Sequence, residues 1–228
     1  MQDVYQKTLS QKVVFKGIGL HSGRASTINV MPAQEGEGIV FKRIDLNENN
    51  IIKANFKNVC SARLCTTLEN NFGVKVSTVE HLLAAFYIIG IDNALVEIDN
   101  EEVPIMDGSS KEFLNILKEI ELIEQSKKRK FLKISNKIEL IDGKRKISIE
   151  PNEFSLEVNF QLNYKNKVIG KQKNTINFQK DDLSDVSNSR TFCLFEDIEK
   201  IKKIGLAKGG SLDNAVVVDA EKVLNKSG

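Results

Sequence analysis

The chain has 228 residues, 41% apolar and 28% charged, the make-up of a folded water-soluble protein with one large domain or two small ones. Its 33 basic and 31 acidic residues leave a formal charge of +2, far from the basic excess of nucleic-acid binders, so nucleic acid is not an expected partner. Three cysteines, Cys60, Cys65 and Cys193, form no CxxC pair and argue for reduced thiols rather than a disulfide framework.

The opening stretch MQDVYQKTLSQKVV lacks the apolar core of a secretory signal, and no apolar run approaches the length of a membrane span. A soluble, cytoplasmic protein without stable membrane insertion is the expectation. KVVFKGIGL, STINVMP and GEGIVFKRIDL read as strands around the glycine-rich GIGLHSG. A helix is predicted over 77–89, stopping at Gly90. NALVEIDNEEVPIMDG then reads as a hairpin, with Ala94, Val96 and Ile98 on one face. In SSKEFLNILKEIELI, Phe113, Leu117 and Ile120 recur at helical spacing, and Ser109 with Glu112 repeats an S-x-x-E start signal.

EQSKKRK, residues 124–130, reads as a solvated basic linker, and the domain boundary is placed there. Beyond it, Asp142-Gly143 marks a hairpin between alternating runs. FSLEVNFQLNY and NTINF read as strands, FEDIEKIKKIG as a helix ending at Gly205, and NAVVVD as a last strand after the loop AKGGS. Strands followed by helices in both halves predict an α+β protein of two domains, 1–126 and 127–228.

Glu80 and His81 open the predicted helix side by side. Ser77 and Glu80 fit a capping box, each satisfying the other's amide. The alternative is a carboxylate acting as base on a bound water. Adjacent residues lie about 100° apart around a helix, yet in the first turn both can reach past its end. His81 reads as a packed core histidine or as a metal ligand; the Glu-His order is not HExxH. His21 in GLHSG can shape a turn or line a cleft. GLAKGGS lacks the ending of a P-loop and reads as a tight bend. Thr191 in SNSRTFC can donate to an oxyanion or help start a helix.

FKGIGLHSG, STVEHLLAA, NEEVPIMDGSS and SRTFCLFEDIEKIKKIGLAKGGSLDNAVVVD, in that order, resemble the UDP-3-O-acyl-N-acetylglucosamine deacetylase family. The resemblance covers essentially the whole chain. It implies two β-α-α-β sandwich domains of similar plan and a Zn2+ hydrolase in lipid A biosynthesis. Its reaction would split the acetamide of a UDP-linked acylated N-acetylglucosamine, giving acetate and a free amine. Glu80 then matches the general base, His81 a zinc ligand and Thr191 the oxyanion threonine. Cys65, Phe192, Ile198, Ala207, Gly210, Ser211, Ala215 and Val217 fall where the family lines its substrate site. A monomer is expected.

The family's other zinc ligands, a His and an Asp four residues later, lie on a later helix, and a general-acid histidine follows. No histidine follows His81 in this sequence. The resemblance therefore implies ligands beyond Gly228 and a second domain lacking its final helix and strand. Two alternatives stand beside the hydrolase: an inactive truncated fragment, and a metal-free module that binds the sugar nucleotide or acyl chain.

Overall fold

Alternating apolar side chains build the central sheet. The computed structural model describes residues 4–153 and 155–226 and is mixed, with many strands and few helices, an α+β protein. By internal contacts it forms two units: the chain through Arg129 together with the chain from Ser184 onward, and Lys130–Leu183.

The first unit begins with β1 (Tyr5–Leu9), β2 (Val13–Ile18), β3 (Ala25–Pro32), β4 (Ile39–Arg43) and β5 (Ile51–Lys53). Three short strands follow, β6 (Val59–Ser61), β7 (Thr67–Glu69) and β8 (Lys75–Val76), then α1 (Glu80–Ile89), β9 (Ala94–Ile98), α2 (Lys111–Lys118) and β10 (Leu122–Lys128). The main sheet has the order β2-β3-β9-β4-β5, with β9 and β4 parallel and the other neighbours antiparallel.

Register puts Val13, Val30, Val96, Phe41 and Ile52 in one cross-strand row and Phe15, Ile28 and Ile98 in the next. All are buried, because a period of two sends alternate residues to one face. Leu82, Ala85 and Phe86 of α1 and Phe113, Leu114 and Leu117 of α2 join the same core. Phe15 meets Phe113 with ring centroids 5.0 Å apart. Gly90, at φ 88°, closes α1 in the left-handed region and returns its amide to the Phe86 carbonyl.

Several sequence expectations are corrected. The 93–108 segment is not a hairpin: Ala94, Val96 and Ile98 do share a buried face of β9, but the residues after them form no second strand, only an isolated bridge from Glu102 to Ser77. The basic run is not a linker, since most of it is β10, antiparallel to β1. Its side chains are held as well: Gln125 bonds Asn93 and the Ala33 carbonyl, Ser126 bonds Glu35, and Arg129 pairs with Asp92 at 2.7 Å. An expected boundary at 126/127 falls inside that strand.

The second unit holds two hairpins: β11 (Ile138–Asp142) with β12 (Arg145–Ile149), and β13 (Glu157–Asn163) with β14 (Lys171–Asn177). Gly143, at φ 59°, supplies the tight turn that Asp142-Gly143 signals. No helix lies among the described residues of this unit.

From Ser184 the chain returns to the first unit as α3 (Ser184–Asn188), β15 (Phe192–Leu194), α4 (Ile198–Lys203) and β16 (Val216–Val218), with β15 and β16 parallel. The expected 127–228 domain is therefore not one contact unit. Backbone bonds explain the grouping: Thr191 N donates to Gly108 O at 2.7 Å, and Gly209 N to Leu20 O at 3.0 Å. Among the described residues no helix is long and apolar enough to cross a membrane.

Candidate active site

The site starts where α1 starts. Neither S-x-x-E signal forms a capping box. Val79 is the N-cap of α1 and makes no side-chain cap bond, while Ser77 gives both its amide and its hydroxyl to the Glu101 carbonyl. At α2, Ser109 Oγ accepts from Lys111 N and donates to Asp107. The Glu80 carboxylate, free of Ser77, accepts from Thr66 N at 3.0 Å through Oε2. That bond ties the helix entrance to the Leu64–Thr66 loop.

Buried Thr78 sets this entrance in an unusual conformation, φ 57°, rare for a β-branched residue. Its hydroxyl donates to Glu102 Oε1 at 2.9 Å. Glu102, 1% exposed, also accepts from the His21 and Ser22 amides at 2.8 and 2.7 Å. A buried carboxylate is tolerated when several donors satisfy it. Here those donors come from two segments, so Glu102 clamps the GLHSG turn to the entrance of α1.

His21 follows from that clamp. Its Nδ1 accepts from Ala207 N at 3.4 Å, and the Lys208 amide donates to its carbonyl. Burial works to lower this imidazole, but contact with the Cys65 thiol, the charges on Cys65 and Glu102 and the Leu64 carbonyl outweigh it and hold it above the ordinary histidine value. Cys65 shifts the other way. Burial raises the thiol, while His21 and the Thr67 hydroxyl outweigh that and bring it below the usual cysteine value. His81 is pushed down by burial, against the opposing pull of Glu80 and Asp107. A lowered imidazole is neutral near pH 7, the form that binds metals.

Thr191, beside β15, sits on the Asp107-Gly108 turn rather than at a helix start. A Cβ on Gly108, at φ 88°, would lie 2.2 Å from the Asn214 carbonyl and 3.5 Å from Thr191 Cγ2. Only glycine allows this approach. Arg190 reinforces it by donating to the carbonyls of Asp107, Leu212 and Asp213. Gly209 plays the matching part at the other turn, where an added Cβ would lie 2.3 Å from Gly19 O.

The remaining predicted residues share that returning segment. Ala207 and Gly210 belong to the bend over His21, with Gly210 N bonded to Ala207 O. Ser211 N is capped by Asn214 Oδ1, and Ser211 O accepts from the Asn214 and Ala215 amides. Ala215 and Val217 are buried; Phe192 faces Val216 across the β15–β16 pair, and Ile198 opens α4 half-buried.

Glu102, Asp107 and Arg190 take part without having been singled out in the sequence. A signal was present for all three, because both acids lie in NEEVPIMDGSS and Arg190 lies in SRTFC. Four segments also carry a non-glycine residue at positive φ, namely Leu64, Thr78, Met106 and Ala207. Such strain persists where surrounding contacts enforce it, and it concentrates at functional sites.

Among the described residues, no group of three His, Cys, Asp or Glu side chains is gathered that could hold a metal ion. A catalytic zinc takes three protein ligands. His81 suits one of them, but these residues do not by themselves fit the full centre.

Comparison with known proteins bears on the same segments. Residues 6–228 match the family model described as LpxC, UDP-3-O-acyl N-acetylglycosamine deacetylase. A UDP-3-O-acyl-N-acetylglucosamine deacetylase of Geotalea uraniireducens is 41% identical over 98% of this chain and 73% of its own length. Proteins of that name from Actinobacillus succinogenes and Actinobacillus pleuropneumoniae are 41% and 36% identical, each over 99% of this chain and 74% of its own length.

Proposed function

The chain belongs to the UDP-3-O-acyl-N-acetylglucosamine deacetylase family, and we propose that it serves the hydrolysis of the acetamide of a UDP-linked acylated N-acetylglucosamine. The products are acetate and the free-amine sugar nucleotide, in the cytoplasm, as the committed step of lipid A biosynthesis. The observation that supports this most is the Glu80 carboxylate. It stands in the first turn of α1, held by a backbone amide from another segment instead of closing its own helix.

Glu80 accepts the proton of the attacking water as the carbonyl carbon becomes tetrahedral. Thr191, fixed by its amide on Gly108, supplies a hydroxyl to the oxyanion. Phe192, Ile198, Ala207, Ala215 and Val217 offer apolar surface to the acyl chain, Gly210 and Ser211 offer backbone on the same bend, and Cys65 lies on the facing loop. Zinc, when bound, supplies a metal-activated water and charge for the oxyanion. Among the described residues, His81 would hold it. The protein acts as a monomer.

The lack of a three-ligand set among the described residues favours a second reading, a module that binds the sugar nucleotide without turning it over. Acetate release and substrate binding, measured with metal content on wild type and Glu80→Gln, separate the two. The hydrolase predicts a loss in kcat of about 10²–10⁴ with binding retained. Binding without any acetate release from the zinc-loaded wild type selects the module.

A further inference from the structure

We propose that Glu102 is a positioning residue for the Glu80 base, acting through Thr78 at the entrance of α1; the catalytic part of this inference rests on the deacetylase reading. Val79, the N-cap, makes no side-chain cap bond, so the helix does not fix its own start. The restraint comes from the 101–103 segment instead. Ser77 is held there by backbone, its amide donating to Glu101 O at 2.8 Å and its carbonyl accepting from Val103 N at 3.1 Å. Thr78 gives its hydroxyl to Glu102 Oε1 at 2.9 Å, and both residues are 1% exposed. A threonine at φ 57° is disfavoured and persists only where its surroundings impose it. Two residues further on stands Glu80, whose carboxylate accepts from Thr66 N. Relaxing the Thr78 backbone toward an ordinary conformation would swing that carboxylate off the Thr66 amide.

The surroundings are built for a carboxylate. Oε1 accepts from both Thr78 Oγ1 and His21 N, and Oε2 accepts from Ser22 N. An ionised carboxylate offers only acceptors, whereas a glutamine of the same length would turn an N–H toward one of these donors. Room is kept as well: a Cβ on Gly19 would lie 2.4 Å from Glu102 Oε2 and 2.3 Å from Ser22 Oγ. The backbone behind the carboxylate is fixed in its turn. Ser26 Oγ donates to the Glu102 carbonyl at 2.6 Å, and Glu102 N donates to Asn100 Oδ1 at 2.9 Å.

One side chain thus references two parts of the site to each other. Glu102 holds the Thr78 entrance on one side and the His21-Ser22 turn on the other. That turn receives the Lys208 and Gly209 amides on its His21 and Leu20 carbonyls, so it also carries the bend proposed to line the substrate. Removing the Thr78 bond alone frees the base and leaves the bend in place. The expected signature is therefore a fall in turnover without a fall in substrate binding, which a residue that merely stabilised the core would not produce.

The test compares Thr78→Val, which keeps the shape and removes the donor, with Thr78→Ser, which keeps the donor. Hydrogen exchange at the Thr66 amide, followed by NMR, reads the Glu80 carboxylate without any turnover. Thr78→Val is expected to speed that exchange about ten-fold and to leave the Val96 amide of β9 unchanged, while Thr78→Ser stays near wild type. In acetate release by the zinc-loaded protein, Thr78→Val is expected to lower kcat about ten- to hundred-fold with KM unchanged, and Thr78→Ser to recover most of it. A folded Thr78→Val protein with unaltered Thr66 exchange or unaltered kcat overturns the proposal, and so does a Thr78→Ser protein that loses as much as Thr78→Val. If Thr78→Val does not fold, Thr78→Ala removes the same donor and is read in the same way. A wild type that releases no acetate counts against the deacetylase reading instead, and Thr66 exchange then decides the positioning of Glu80 by itself.

Discussion

The two contact units use the same strand grammar with opposite results. In the first, alternate apolar residues of the five-stranded sheet are buried under α1 and α2. In Lys130–Leu183, Ile138 pairs with Ile149 and Leu140 with Ile147, which gathers four apolar side chains on one face of a hairpin. All four remain exposed, at 46–69%. Val158 and Phe160 of the second hairpin are exposed too. Alternation and a turn residue are enough to pair two strands, because both act between near neighbours. Burial needs a second layer, and among the described residues only the first unit has helices over its sheet.

The largest test of this contrast is a pair of truncations. Phe113→Ala, in the packed core against Phe15, is expected to cost about 3–5 kcal/mol in urea unfolding. Leu140→Ala, on the exposed hairpin face, is expected to cost under about 0.5 kcal/mol. Comparable losses would mean that the hairpin face is covered in solution.

A smaller effect probes how the returning segment is held. Gly108→Ala forces a Cβ into the Asn214 carbonyl at a positive φ, at an expected cost of about 2 kcal/mol. Gly143→Ala, also at positive φ but with nothing within 4 Å of the new Cβ, should cost about half as much. Hydrogen exchange locates the damage: the Gly108 change should speed exchange in β15 and β16, and the Gly143 change only in β11 and β12.

The smallest effect is electrostatic. Arg43 donates twice to Asp45 and once to the Lys75 carbonyl, and its hydrogen bond holds the Asp45 carboxyl below its ordinary value. A carboxyl lowered by folding adds stability above its unfolded value of 3.8, and that contribution is lost as pH falls through the folded value. Wild type and Asp45→Asn should therefore converge in urea midpoint as pH falls below 3.8. The Lys137–Glu150 and Arg145–Asp142 pairs of the first hairpin are exposed on both sides. Their removal should leave the midpoint unchanged in moderate salt.

Legibility divides along the same line. The ten-residue helix ending at Gly90 and the Asp142-Gly143 hairpin are readable because each is encoded within a few residues. The basic run 124–130 misleads because its partner strand, β1, lies more than a hundred residues earlier. Charge pattern says only that such a run tolerates water; it says nothing about which backbone it pairs with. The S-x-x-E boxes fail for a related reason. Glu101 takes the Ser77 donors and Thr66 takes the Glu80 carboxylate, both from outside the local window.

By itself the sequence determined the class of fold, the family, and Glu80, His81 and Thr191 as site candidates, since motifs and periodicity are properties of neighbouring residues. Only the tertiary structure decided that Glu102 joins two turns and that Gly108 lies against the Asn214 carbonyl. The donors to the Glu102 carboxylate alone lie between 24 and 81 residues away along the chain. Their meeting depends on glycines that let backbones touch and on a buried carboxylate gathering distant donors, and no local pattern encodes either.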